Sequence, residues 1–265
     1  MNRVTSNDGT PIAFDRTGDG PAVILVGGAF QVRVDPKMSQ LAALLAPRYS
    51  VLTYDRRGRG DSGDTAPYAV EREVGDLQVL IKETGGEAFV FGMSSGAVLA
   101  LDAAAYGLPI MKLAVYEPPF IVDSSRAALP ANYLAQLTDL LSADRRGDAV
   151  ALFMTNPAGV AAEFVAGMRQ APFWPAMEAV AHTLAYDGTI MGDTMAGNPL
   201  PSGRWDSVTA PTLVIDGGAS LAWIHNGAQA LAGVLPDAQR RTLDGQDHDV
   251  APEVLAPVLT KFFAV

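Results

Sequence analysis

The sequence has no cysteine, which removes disulfides, thiolate nucleophiles and cysteine-based metal sites together. Histidine is scarce as well. His182, His225 and His248 lie far apart with no ligand spacing, so neither a metal nor a cofactor is expected. Basic residues are outnumbered, 19 lysines and arginines against 29 acidic residues, for a formal charge of −10. Nucleic acids and anionic membranes need a basic face, so neither is an expected partner. No apolar run reaches membrane-spanning length. The opening stretch, MNRVTSNDGTPIAFDRTGDG, lacks the apolar core of a signal peptide, which predicts a chain that is not secreted and is cytoplasmic.

What is present suits an ordinary packed core. The 265 residues are 49% apolar and only 18% charged, enough for one sizeable α/β domain or one domain carrying an insertion. Up to Glu117, β-rich runs alternate with helical stretches, the pattern of a mostly parallel, doubly wound sheet covered by helices. TPIAFDRTG reads as an antiparallel lead-in strand, and PAVILVGG as a strand buried on both faces. Val70, Val74, Leu77, Leu80 and Ile81 recur at helical spacing ahead of a glycine pair. From about 118 to 206 the rhythm changes to prolines and helices without a convincing strand. It resumes at APTLVIDGG. The expected organisation is a core of residues 1–117 and 207–265 interrupted by a helical cap over 118–206.

Gly92-Met93-Ser94-Ser95-Gly96 places G-x-S-x-G between a predicted strand and a predicted helix. At such a turn the positions two before and two after a nucleophile must lack side chains, and only Ser94 is flanked that way. Taken alone, the pattern also suits a small-residue helix start packed closely on a sheet. Ser95 falls in the first helical turn, where its backbone N–H is aimed at an anion above the sheet. A second such donor is expected from Gly27-Gly28-Ala29-Phe30, with Ala29 the choice, and Phe30 beside it in the pocket. A serine hydroxyl needs a base. His248 lies in a loop that opens on the same sheet edge as the Ser94 turn, whereas His225 falls in a predicted helix and His182 in the insertion.

These features together resemble the α/β-hydrolase family over nearly the whole chain. YDRRGRGDSG (54–63) is similar to its D-x-R-G-x-G-x-S segment, and the order of serine, acid and late histidine matches. The loop GGAF departs from the His-Gly start that many members have. In most members the acid follows the strand written here PTLVI, but that place holds Ser220. Two carboxylates remain, Glu117 and Asp216. Some subfamilies, among them zearalenone-lactonase-like hydrolases with a similar Ser-Ser-Gly-Ala turn, carry their acid where Glu117 stands. Glu117 is favoured over Asp216, which by strand alternation points into the sheet's flank.

The resemblance implies acyl transfer to water by Ser94, His248 and Glu117, with Ala29 and Ser95 as oxyanion donors and no cofactor. The expected enzyme is a serine esterase or lactonase. Five of nine methionines (Met154, Met168, Met177, Met191, Met195) lie in the cap region with Trp174 and other aromatics, which favours a hydrophobic small-molecule substrate. Trp174, Met177 and His182 are expected in its pocket with Phe30. The same triad also serves cofactor-free haloperoxidases and carbon–carbon hydrolases. An aspartate-nucleophile epoxide hydrolase or dehalogenase is disfavoured by Ser94. A non-enzymatic binding protein is the alternative of another class, and a homodimer is left open.

Overall fold

A computed structural model describes residues 1–264. Eight strands form one sheet in the order β1-β2-β4-β3-β5-β6-β7-β8. The strands β1 (Asn2–Thr5) and β2 (Pro11–Thr17) are antiparallel to their neighbours. The other six, β3 (Ala22–Val26), β4 (Ser50–Tyr54), β5 (Ala88–Met93), β6 (Ile110–Tyr116), β7 (Thr212–Gly217) and β8 (Ala238–Leu243), run parallel to one another. The lead-in strand expected from TPIAFDRTG is β2. β1 is an addition to the strands legible in the sequence, because its mostly exposed residues carry no apolar alternation and only backbone pairing defines it.

Central strands are apolar on both faces because both faces are covered. Val23, Leu25, Phe89, Phe91, Ala114 and Tyr116 pack with α1 (Pro36–Leu45) and α10 (Pro252–Phe263). Their alternates Ile24, Val26, Val90 and Val115 pack on the opposite face with α2 (Val70–Glu83), α3 (Ser95–Ala105) and α9 (Ala222–Val234). Helix α1 starts cleanly, with the Asp35 side chain accepting from the N–H groups of Lys37 and Met38 and Pro36 in its first turn. Helix α2 buries Val74, Leu77, Leu80 and Ile81 as their spacing predicts. Glu73 and Asp76 are buried on the same helix.

Between β6 and β7 the described residues form no strand. They form α4 (Tyr133–Ser142), α5 (Arg146–Thr155), α6 (Ala162–Met168), α7 (Trp174–Ala179), a 3-10 turn (Ala181–Thr183) and α8 (Leu184–Met191). These helices gather a third apolar cluster around Tyr133, Leu137, Val150, Val165, Trp174 and Leu184. Phe120, Ile190, Met195 and Trp205, from the two ends of the segment, instead join the core beside α3.

Candidate active site

Ser94 closes β5 and opens α3 with φ 55° and ψ −127°, a conformation L residues rarely adopt. Its backbone N–H donates to the Tyr116 carbonyl of the next strand at 2.9 Å. The flanking glycines are sterically required. A Cβ at Gly92 would lie 2.6 Å from the Gly96 carbonyl oxygen, and one at Gly96 would lie 2.5 Å from the carbonyl oxygens of Val26 and Gly27. Strand and helix therefore meet closely enough to present Ser94 at the sheet's C-terminal edge. The loop after β3 presses against it, since a Cβ at Gly28 would be 2.9 Å from Ser94 Cβ.

His248, half exposed in the loop after β8, places Nδ1 2.8 Å from Glu117 Oε2. Glu117 follows β6 with φ 46° and is fully buried. Its second oxygen, Oε1, accepts from the Gly217 N–H at 2.7 Å and from Ser220 Oγ at 2.6 Å. Ser220 stands where most of the resembled family carries its acid, and here its hydroxyl braces Glu117, which follows the neighbouring strand. The His248 loop is held as well. Tyr116 Oη donates to the Asp247 carbonyl, and the Ala219 N–H donates to the Gln246 carbonyl. Asp216 does not pair with His248. Its buried carboxylate takes His225 Nδ1, the Arg240 guanidinium and Thr242 Oγ1, because strand alternation turns it toward α9.

Beneath the Ser94 turn lies a cluster of buried charge that the sequence did not reveal. Ser95 Oγ donates to Asp187 Oδ1 at 2.7 Å, and Arg56 and Arg59 each reach Asp187 at 2.7 Å. Arg56 also forks onto Glu73 through two bonds of 2.8 Å. Burial works to raise the Asp187 pKa, but the charges of Arg59 and Arg56 and the Ser95 hydroxyl hold it below the usual carboxylate value. The arginines come from the quoted 54–63 segment. Asp187 lies on α8 and stands in no motif.

Ser94, Ser95, Ala29, Phe30, Glu117 and His248 all line one cavity of about 1040 Å³. As the first residue of α3, Ser95 has a backbone N–H with no carbonyl inside the helix to receive it. Of the five methionines singled out above, Met154, Met177, Met191 and Met195 line the cavity, along with Phe153, whose ring meets Phe30 edge-on at 5.2 Å. Two expected pocket residues lie elsewhere. Trp174 opens α7 and packs into the third cluster, its Nε1 donating to Glu178 at 2.8 Å. His182, in the 3-10 turn, faces Asp64 at 3.6 Å and the Gly58 turn, where burial lowers its pKa despite Asp64. Among the described residues no cluster of three or more His, Asp or Glu is disposed to hold a metal, and no helix is long and apolar enough to cross a membrane.

Residues 22–258 match the model of the alpha/beta hydrolase family. An alpha/beta hydrolase from Sphaerobacter thermophilus DSM 20745 superposes with a TM-score of 0.92 and 57% identity, over 99% of this chain and 100% of that one. The enol-lactonase from Burkholderia xenovorans LB400 superposes at 0.69 with 21% identity, over 98% and 99% of the two chains, a likeness of fold. One stretch of 99 residues is 40% identical to the uncharacterized hydrolase YraK of Bacillus subtilis (strain 168). It spans 36% of this chain and only 35% of that relative.

Proposed function

The chain belongs to the alpha/beta hydrolase family and has its fold, and from that premise we propose that it is a serine hydrolase cleaving a carboxylic ester or lactone of a hydrophobic small molecule. The observation that carries this reading is the 2.8 Å pairing of His248 with the buried Glu117 on the wall of the cavity that Ser94 also lines. A carboxylate accepting from Nδ1 leaves Nε2 as the ring's proton acceptor. In our reading His248 takes the Ser94 proton as Oγ attacks the carbonyl carbon. The backbone N–H groups of Ala29 and Ser95 stabilise the oxygen that gains charge. The leaving alkoxide receives the proton from His248. Water then repeats the sequence on the acyl-enzyme and releases the acid.

The cavity supports a bulky apolar substrate. About 1040 Å³ is at the upper end for a small-molecule site, and unbranched methionines adapt to irregular shapes. We read the helices between β6 and β7 as the lid of this site, with Met177 and Phe153 among its substrate contacts.

A fluorophosphonate probe tests the reading. The adduct is expected on Ser94 by peptide mass spectrometry, and Ser94→Ala is expected to abolish both labelling and p-nitrophenyl ester turnover. An adduct on another residue, or turnover retained in Ser94→Ala, would overturn it.

A further inference from the structure

The loop after β3 packs so closely on Ser94 that Gly28 can carry no side chain. Without a Cβ its backbone is also free to turn over. A flipped Gly28–Ala29 peptide would present a carbonyl where an N–H is needed, so something must fix its direction. The peptide is trans, and a trans peptide holds its C=O and the following N–H on opposite edges of one plane. Whatever grips the Gly28 carbonyl therefore aims the Ala29 N–H.

That grip is a guanidinium. Arg59 Nη1 donates to the Gly28 carbonyl, Nη2 reaches Asp187 Oδ2 at 2.7 Å, and Nε reaches Thr183 Oγ1 at 3.0 Å. Arg56 Nη1 stands 3.4 Å from the Gly27 carbonyl and 2.7 Å from Asp187 Oδ1. Arg59 is buried and absent from the cavity wall, whereas Gly28, Ala29 and Ser94 line it. The held carbonyl thus faces the protein interior and the N–H faces the cavity.

We propose that Arg59 is a positioning residue that aims the Ala29 N–H at the oxyanion formed above Ser94, with its guanidinium held in turn by Asp187 and Thr183. The proposal rests on the serine hydrolase reading. Asp187 and Thr183 come from the segment between β6 and β7, so seating that segment on the core and orienting the loop are one event. Lysine cannot replace this arginine, because a single ammonium on a flexible stem does not reproduce three directional bonds in one plane.

The test uses Arg59→Lys and Thr183→Val, with active sites counted by fluorophosphonate titration of Ser94. An aryl boronic acid serves as the probe, since its tetrahedral adduct on Ser94 places an oxygen in the oxyanion position. Arg59→Lys is expected to lower kcat per titrated site by about 10² to 10³, the loss typical of one oxyanion donor. KM should stay within about threefold, and boronate affinity should fall in step with kcat, since the lost contact forms only in the transition state. Thr183→Val removes the Nε acceptor, along with the hydroxyl's own bond to the Val180 carbonyl, and should lower both quantities by about tenfold. A purely structural role would reduce the melting temperature and leave kcat per site and boronate affinity unchanged, which would overturn the proposal. If Arg59→Lys does not fold, Thr183→Val decides by the same two readouts. Absence of a wild-type adduct on Ser94 would instead mark failure of the underlying reading.

Discussion

Ser94, Glu117 and Phe30 all have positive φ without being glycine, at 55°, 46° and 64°, and all three line the cavity. Each such conformation costs on the order of 1–3 kcal/mol and persists only where its surroundings enforce it. At Glu117 the enforcing contacts are the Gly217 N–H and Ser220 Oγ on one oxygen and His248 on the other. Glu117→Ala should therefore lower kcat by about 10³ or more, because His248 loses the partner that sets its tautomer. Adding Ser220→Asp to Glu117→Ala returns a carboxylate to the position most members use, and should recover part of that loss in ester turnover. Ser220→Asp alone sets two carboxylates side by side and should lower activity. Asp216→Asn is expected to change kcat by less than about threefold while costing several kcal/mol of stability in urea unfolding, because it strips a buried acid from Arg240 and His225.

At the scale of elements, α7 separates two aromatic and thioether side chains that the sequence alone groups together. Trp174 and Met177 are three residues apart in one short helix, yet only Met177 reaches the cavity, while Trp174 is buried among α4 to α8. Trp174→Ala should cost about 3–5 kcal/mol by leaving a void. Met177→Ala should instead shift relative rates among short-chain and bulky acyl esters with a smaller loss of stability. Equal specificity profiles for wild type and Met177→Ala would remove Met177 from the substrate site. Helix α2 makes a related point. Its apolar stripe is visible from spacing, but Glu73 and Asp76 look like solvent-facing residues until the arginines of the 54–63 segment fold onto them.

Across the whole molecule, Asp187 joins the segment between β6 and β7 to the core through Arg56, Arg59 and Ser95. Removing its charge leaves two buried arginines short of a partner, so Asp187→Asn should lose about 3–5 kcal/mol at neutral pH. The pH dependence has a defined sign. The Asp187 pKa is depressed in the folded protein, so the unfolded chain binds its proton first as pH falls. The stabilisation is full above the unfolded value of about 3.9 and is lost as pH drops through the folded value. Urea unfolding from pH 7 to 3 should show the gap between wild type and Asp187→Asn narrowing below about pH 4. Parallel curves would show that Asp187 carries no such linkage.

Much was legible in one dimension because it rests on local rules. Strands buried on both faces must be continuously apolar, a sharp strand-to-helix turn must have glycines two residues either side of Ser94, and the rhythm of strands and helices implies a mostly parallel sheet. The sequence leaves Glu117 and Asp216 as the candidate acids with Glu117 favoured, and strand order and side-chain direction set the first against His248 and the second against His225. Trp174, Met177 and His182 share a segment and a composition, so nothing local could sort cavity wall from helix packing from the Asp64 contact. Asp187 is one acidic residue among 29. Its place under Ser94 depends on Ser95, Arg56 and Arg59, which lie 92, 131 and 128 residues away in sequence. Local spacing determines which residues can turn, pair or bury. Which charges meet is decided by the chain's long-range return onto itself, where burial makes every unpaired charge costly and so selects a single arrangement.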